Sequence, residues 1–149
     1  MKLETEIQTS PSNGQSILQL PLGLIGLPKL TSFSVAPIEN SWPFMAMNGL
    51  VEERMDFVVI DPSGLIPDYV IDVGDEDADF IGIQSAIDAL VLNIVTIRSS
   101  RPHYVTVNLV APVVINRSTG VGKQIIVLNF NRYSSDYPLI DHRMRVNAA

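Results

Sequence analysis

Cysteine is absent from this 149-residue sequence. Its absence removes disulfides, thiolate catalysis and cysteine-ligated zinc, and it suits a reducing compartment. Histidine is scarce. His103 and His142 are the two, too far apart for a His-Glu-x-x-His metal helix, and both read as exposed loop residues. Aromatic residues make up 7%, which leaves few platforms for stacking nucleic-acid bases. Long apolar runs are missing as well. The longest, Leu109 to Ile115, holds seven residues and includes Pro112, against the roughly 18 that a membrane-spanning helix needs. The first residues, Met1-Lys2-Leu3-Glu4-Thr5-Glu6, lack the apolar core of a secretion signal. The expectation is a cytoplasmic protein with no membrane partner.

What the sequence does contain is enough apolar residue, 46% against 17% charged, to bury a core. The apolar positions come in short bursts. Leu3, Thr5 and Ile7 alternate with polar neighbours, Ser10-Pro11-Ser12-Asn13-Gly14 is a turn cluster, and Gln15 to Leu20 follows as a second strand. The first 20 residues therefore read as a hairpin. Leu20 to Pro28 carries two prolines and two glycines in an apolar bend that neither helix nor sheet continues through. Strands are expected over Thr31–Ala36, Phe57–Ile60, Tyr69–Val73, Val91–Ile97 and Val105–Val110, with Trp42 to Met47 buried. Gly74 to Asp77 reads as a solvated acidic loop, and Asp77 to Ser85 as a short helix with acids at its positive end. Pro112 belongs at a bulge or edge before Val113. Ser118 to Gly122 is a hairpin turn. The pattern as a whole predicts an all-β chain, a small antiparallel β-barrel-like single domain with one or two short helices. That domain is placed at 1–139, with 140–149 as a flexible C-terminal tail.

No catalytic kit is evident. A nucleophile elbow, a phosphate-binding loop and a dinucleotide fingerprint are all missing. Asp61-Pro62-Ser63-Gly64 reads as a strand-ending turn in which Asp61 accepts from backbone N–H groups. Asp75-Glu76-Asp77-Asp79 lacks the spacing of a calcium loop, so no metal and no cofactor is expected. Asn108, among apolar neighbours, must find hydrogen-bond partners if it is buried.

Charge is distributed with a clear polarity. Eleven acidic residues lie between Glu52 and Asp88 against one base, Arg54; from Arg98 to Arg145 there are seven bases and two acids. The net charge of −6 disfavours a general nucleic-acid binder, and no direct nucleic-acid partner is expected. An acidic face made by Glu52, Glu53, Asp56, Asp75, Glu76, Asp77 and Asp79 would attract a cation-rich protein. Met45, Met47, Leu65 and Ile66 are candidates for the apolar centre of such a contact.

Several segments, in order, resemble the FliW flagellar assembly factor family. They are Pro21-Leu22-Gly23-Leu24-Ile25-Gly26, Pro43-Phe44, Met47-Asn48-Gly49 and Phe57-Val58-Val59-Ile60-Asp61-Pro62. Pro67-Asp68-Tyr69 follows, then Val105 through Asn116 with Asn108 and Pro112 inside it, Gly122-Lys123-Gln124, Tyr133-Ser134 and Pro138-Leu139. The match runs from about Ile17 to Leu139. The chain departs from the family pattern at Ile25, Ala46, Asn48-Gly49 and Asp136-Tyr137, which bears on partner specificity. The resemblance implies a β-barrel-like protein without catalysis that binds two partners, flagellin and the basic translational repressor CsrA. Pro21, Gly23, Gly26, Asp61, Pro62, Asp68, Tyr69, Asn108 and Pro112 are the motif positions expected to act structurally. Two other classes remain open: an RNA-contacting module using Arg98, Arg101, Arg117 and Arg132, and an enzyme with a small-molecule site in a barrel mouth.

Overall fold

A computed structural model of the chain describes residues 1–5, 16–51, 55–97 and 104–139. The sequence expectations for 6–15, 52–54, 98–103 and 140–149 lie outside them. These include Glu52, Glu53, Arg98, Arg101, both histidines and the C-terminal tail.

Eleven strands and one α-helix are present among the described residues. The strands are β1 (Lys2–Glu4), β2 (Ser16–Gln19), β3 (Ser32–Pro37), β4 (Met45–Gly49), β5 (Asp56–Ile60), β6 (Val70–Asp72), β7 (Ala89–Ile97), β8 (Val105–Val107), β9 (Val113–Asn116), β10 (Gly122–Gln124) and β11 (Tyr137–Pro138). The helix is α1 (Asp75–Ile81). The main sheet runs β10-β9-β7-β5-β4-β3-β2, with β8 added on β7 and β11 on β8, and β1 pairs with β6 in a separate two-stranded sheet.

The longest strand explains the layout. Successive side chains of a strand point to opposite faces. In β7, Val91 and Val95 enter one apolar cluster with Leu3, Tyr69, Ile71, Ala78 and Ile81. Leu92 enters a second with Leu18, Leu20, Phe33, Val35 and Met47, against which Leu90 and Ile94 also pack. Strand β9 behaves likewise, with Val114 in the first cluster and Val113 and Ile115 in the second. A strand covered on both faces reads as a near-continuous apolar run, as Ala89 to Ile97 does.

The same division overturns the expected N-terminal hairpin. Strand β1 pairs with β6, Leu3 opposite Ile71, while β2 pairs with β3. Leu3 buries in the first cluster and Leu18 in the second, so the two strands contribute to different covers. The barrel expectation is also not confirmed. A parallel bridge between Gln19 and Val121, with the Gln19 N–H donating to Gly120 O at 2.9 Å, brings the ends of the main path together. No ladder closes it among the described residues.

The outer edge of β6 is satisfied mainly by side chains. Asp72 N–H donates to Asn129 Oδ1 (2.9 Å), and Asn129 Nδ2 donates to Val70 O (2.8 Å). Val70 N–H donates to the Tyr133 hydroxyl at 3.0 Å, which in turn donates to Val70 O at 2.9 Å. Leu128 N–H completes the edge at Asp72 O, 2.7 Å away.

Trp42 does not enter the core as expected. It sits 48% exposed in the β3–β4 connection, while Met45 and Met47 beyond it are buried. The bend at Pro21 to Gly26 folds back on itself, with Leu24 and Leu27 exchanging backbone hydrogen bonds (3.2 and 2.8 Å). Gly23 (φ +70°) and Gly26 (φ +85°) both adopt left-handed backbone, but their surroundings differ. A Cβ on Gly23 would lie 2.3 Å from Leu27 O and 2.7 Å from Pro28, whereas one on Gly26 would meet open space. Gly26→Ala is expected to cost about 1–2 kcal/mol from left-handed strain alone. Gly23→Ala should cost clearly more, because backbone must move. Urea denaturation of the two variants side by side measures the difference, and equal costs would show that the bend tolerates displacement.

Candidate partner-binding surface

The sequence around α1 dictates both its limits and its outward face. Asp75, Glu76 and Asp77 fill its first turn, where carboxylates complement the unpaired N–H groups of a helix start. Gly74 is the extended N-cap, and its carbonyl accepts from Ala78 N–H at 2.9 Å. Gly82 ends the helix in the left-handed conformation (φ 81°). The expected acidic loop is therefore the helix start, and the helix stops at Ile81 rather than running to Ser85. Asn116 of β9 secures this end, its Nδ2 donating to Ile81 O and Gly82 O, each at 3.2 Å. Ala78 and Ile81, three residues apart, face the core.

That leaves Asp75, Glu76 and Asp79 exposed, and among the described residues no ion pair engages them. Asp77 differs. Its Oδ1 is 2.5 Å from Lys123 Nζ on β10, and both side chains are largely covered. The same ammonium lies 5.6 Å from the centre of the Phe80 ring.

The structure does not bring the whole acidic set together. The β5–β7 register pairs Val58 with Val95; carried two residues on, it puts Asp56 level with Ile97. Asn116, which holds α1, is opposite Ala89 at the other end of β7. Eight strand steps separate the two ends, roughly 26 Å. Sequence proximity hid this separation, because β5 carries the chain from the Ile97 level of β7 toward its Ala89 end before α1 begins.

The apolar candidates are corrected too. Met45, Met47 and Ile66 are buried in the core, and Leu65 packs against it. Two of the basic residues that are described serve internal contacts. Lys123 is committed to Asp77, Arg117 Nε donates to Ala89 O at 3.1 Å, and Arg132 lies at the end of a short 3-10 turn, Phe130–Arg132. Among the described residues no group of three or more His, Asp or Glu could hold a metal ion, and no helix is long and apolar enough to cross a membrane.

The motif positions act on the frame. Asp61 Oδ1 accepts from Ser63 N–H at 2.9 Å, and buried Pro62 receives Leu65 N–H and Ile66 N–H on its carbonyl (3.0 and 3.1 Å). Exposed Asp68 adopts φ 57°, which turns the chain into Tyr69. Tyr69 is fully buried; its hydroxyl donates to Leu109 O at 2.7 Å and accepts from Asn93 Nδ2 at 3.0 Å. Its ring meets Tyr133 edge-on, centroids 4.9 Å apart. Burial raises the Tyr69 hydroxyl pKa well above the ordinary tyrosine range, so it stays a donor. Asn108 lies just past β8 rather than mid-strand. Its Oδ1 accepts from both Val110 N–H and Ala111 N–H at 3.0 Å. Pro112 precedes β9, with its carbonyl bonded to Ile125 N–H at 3.0 Å.

Asn93 and Asn129 were not singled out in the sequence, and Asn116 and Gln124 entered only as members of motif segments, although each organises backbone. Asn93 was detectable by the reasoning applied to Asn108, since it is a lone amide between Leu92 and Ile94. Gln124 joins the N-terminal bend to the body, accepting Ile25 N–H on Oε1 (2.8 Å) and donating to Ala111 O (3.1 Å).

The FliW protein family matches residues 3–139. The chain belongs to that family. A relative in Clostridium novyi (strain NT), named flagellar assembly factor FliW, is 35% identical over 140 residues, covering 93% of this chain and 96% of that protein. Another of the same name in Thermosipho africanus (strain TCF52B) is 33% identical over 139 residues, covering 93% and 95%. A crystal structure described as that of the flagellar assembly factor FliW superposes with a TM-score of 0.76 at 26% identity, over 96% of this chain and 99% of that one.

Two outcomes follow from the frame. Asn108→Leu strands two backbone donors and is expected to cost about 1–3 kcal/mol in urea denaturation, with partner binding unchanged once the fold is allowed for. Lost binding at unchanged stability would assign Asn108 to an interface. Asp61 gives a pH signature. Burial is the leading cause of its raised pKa, above the ordinary 3.8, opposed by the Ser63 hydrogen bonds. The folded chain therefore holds the Asp61 proton to higher pH than the unfolded chain. Its contribution to stability is fully present below pH 3.8 and fades as pH rises through the folded value. The difference in unfolding free energy between wild type and Asp61→Asn, measured across this window, should change in that direction; a flat difference would contradict it.

Proposed function

We propose that this FliW-family chain is a cytoplasmic, non-catalytic flagellar assembly factor that works by holding proteins. On this reading it binds flagellin and antagonises a CsrA-type translational repressor by occupying it. The observation that carries the reading is the outer face of α1, where three carboxylates stand in solvent with no ion pair among the described residues. Charge left uncompensated on one face accelerates encounter with a partner of opposite sign and disfavours the wrong one. CsrA, a small basic protein, has the required sign. Family membership supports the same direction, since the relatives are named flagellar assembly factors. The acidic docking set narrows to Asp75, Glu76 and Asp79, with Asp77 serving the internal pair with Lys123.

The test is titration of the purified chain with CsrA and with flagellin by calorimetry at low and high salt. CsrA affinity should fall with added salt. Reversing Asp75, Glu76 and Asp79 to Lys should weaken it at least about tenfold and remove most of that salt dependence. Affinity indifferent to both changes would exclude charge-led docking on α1.

A further inference from the structure

We infer that Phe80 and Leu128 are the apolar anchors of the α1 surface, and that together with its carboxylates they seat a basic segment of a partner protein, one whose Lys or Arg side chains flank an apolar residue. The inference rests on the protein-binding reading above and adds the contact chemistry that reading leaves open.

The helix buries its small and branched residues, Ala78 and Ile81, and turns its largest apolar side chain outward. Phe80 is 42% exposed and Leu128 60%. A chain of neighbouring groups links the two. A Cβ on Gly74 would lie 3.8 Å both from Leu128 Cδ2 and from Asp77 Oδ2, and Asp77 holds Lys123, whose ammonium sits over the Phe80 ring. Lys123 thereby fixes the ring and neutralises the carboxylate at the centre of the patch. Asp75, Glu76 and Asp79 remain exposed around it, with no ion pair among the described residues.

This arrangement selects the occupant. An uncharged or acidic apolar partner would desolvate those carboxylates and return nothing for them. Nucleic acid and an anionic lipid surface carry the sign they repel. A segment with cations around an apolar side chain compensates the charges and covers both anchors, which is how a contact with a dry centre and a polar rim is built.

The test uses the full chain in three forms: wild type, Phe80→Ser with Leu128→Ser, and Leu50→Ser, an exposed residue beyond β4 at the Asp56 end of the sheet. Unchanged thermal melting verifies the fold of each. Binding of CsrA and of flagellin is measured by calorimetry, and the wild-type contact is mapped by amide chemical shifts. The expected result is a loss of at least about tenfold in affinity for CsrA in the double variant, none in Leu50→Ser, and shifts centred on residues 74–80 and 123–128. A double variant that folds and binds CsrA as tightly as wild type overturns the assignment of the anchors while the protein-binding reading stands. If wild type binds neither CsrA nor flagellin, that reading fails, and a synthetic peptide of alternating Lys and Leu decides the surface. Shifts over the same residues, lost in the double variant, support the seat; no shifts, or shifts elsewhere, overturn it.

Discussion

A long central strand buried on both faces is the constraint on which the rest of this fold depends. From Ala89 to Val95 strand β7 has no wet side, so two sets of elements supply the covers. Strands β2, β3 and β4 close one face, and β1, β6, α1 and the segment after β10 close the other. The Tyr69–Asn93 hydrogen bond places the polar exception of β7 on the α1 side, where Leu109 O and Asn108 O take up the remaining donors.

The helix follows from that constraint. It is short, and helices of its length are marginal alone. What holds it is Ala78 and Ile81 against the core, Gly82 turning left-handed, and the Asn116 amide across its last carbonyls. With its inner side fully committed, its outer side is available for display, and the acidic residues that favour its N-terminus also give the surface its sign.

Strands were legible where local pattern and tertiary demand agreed. The β-branched run at Phe57 to Ile60, the alternation after Thr31 and the continuous apolar stretch ending at Ile97 all announce themselves. Pairing was less legible. Nothing local in Leu3 or Leu18 states which cluster each will fill, so the neighbouring strands read as a hairpin although they cover different faces. The acidic set was misjudged for a related reason: Asp56 and Asp75 are close in sequence, and only the β5–β7 register shows them at opposite ends of a strand. Met45 and Met47 look like surface anchors beside a polar stretch, yet their alternation in β4 points both into the second cluster. Asn129 was hard to see because an Asn in a loop has many uses and its geometry selects one.

The amide of Asn129 occupies one donor and one acceptor of the β6 edge, with the Tyr133 hydroxyl on a second donor beside it. An unprotected strand edge invites pairing with another chain and, from there, insoluble assembly. Here that edge is closed without a proline, a bulge or a lysine. The two side chains imitate a neighbouring strand that has no further edge of its own to offer, so growth by strand addition stops at β6 while the acidic helix alongside stays open to a folded companion.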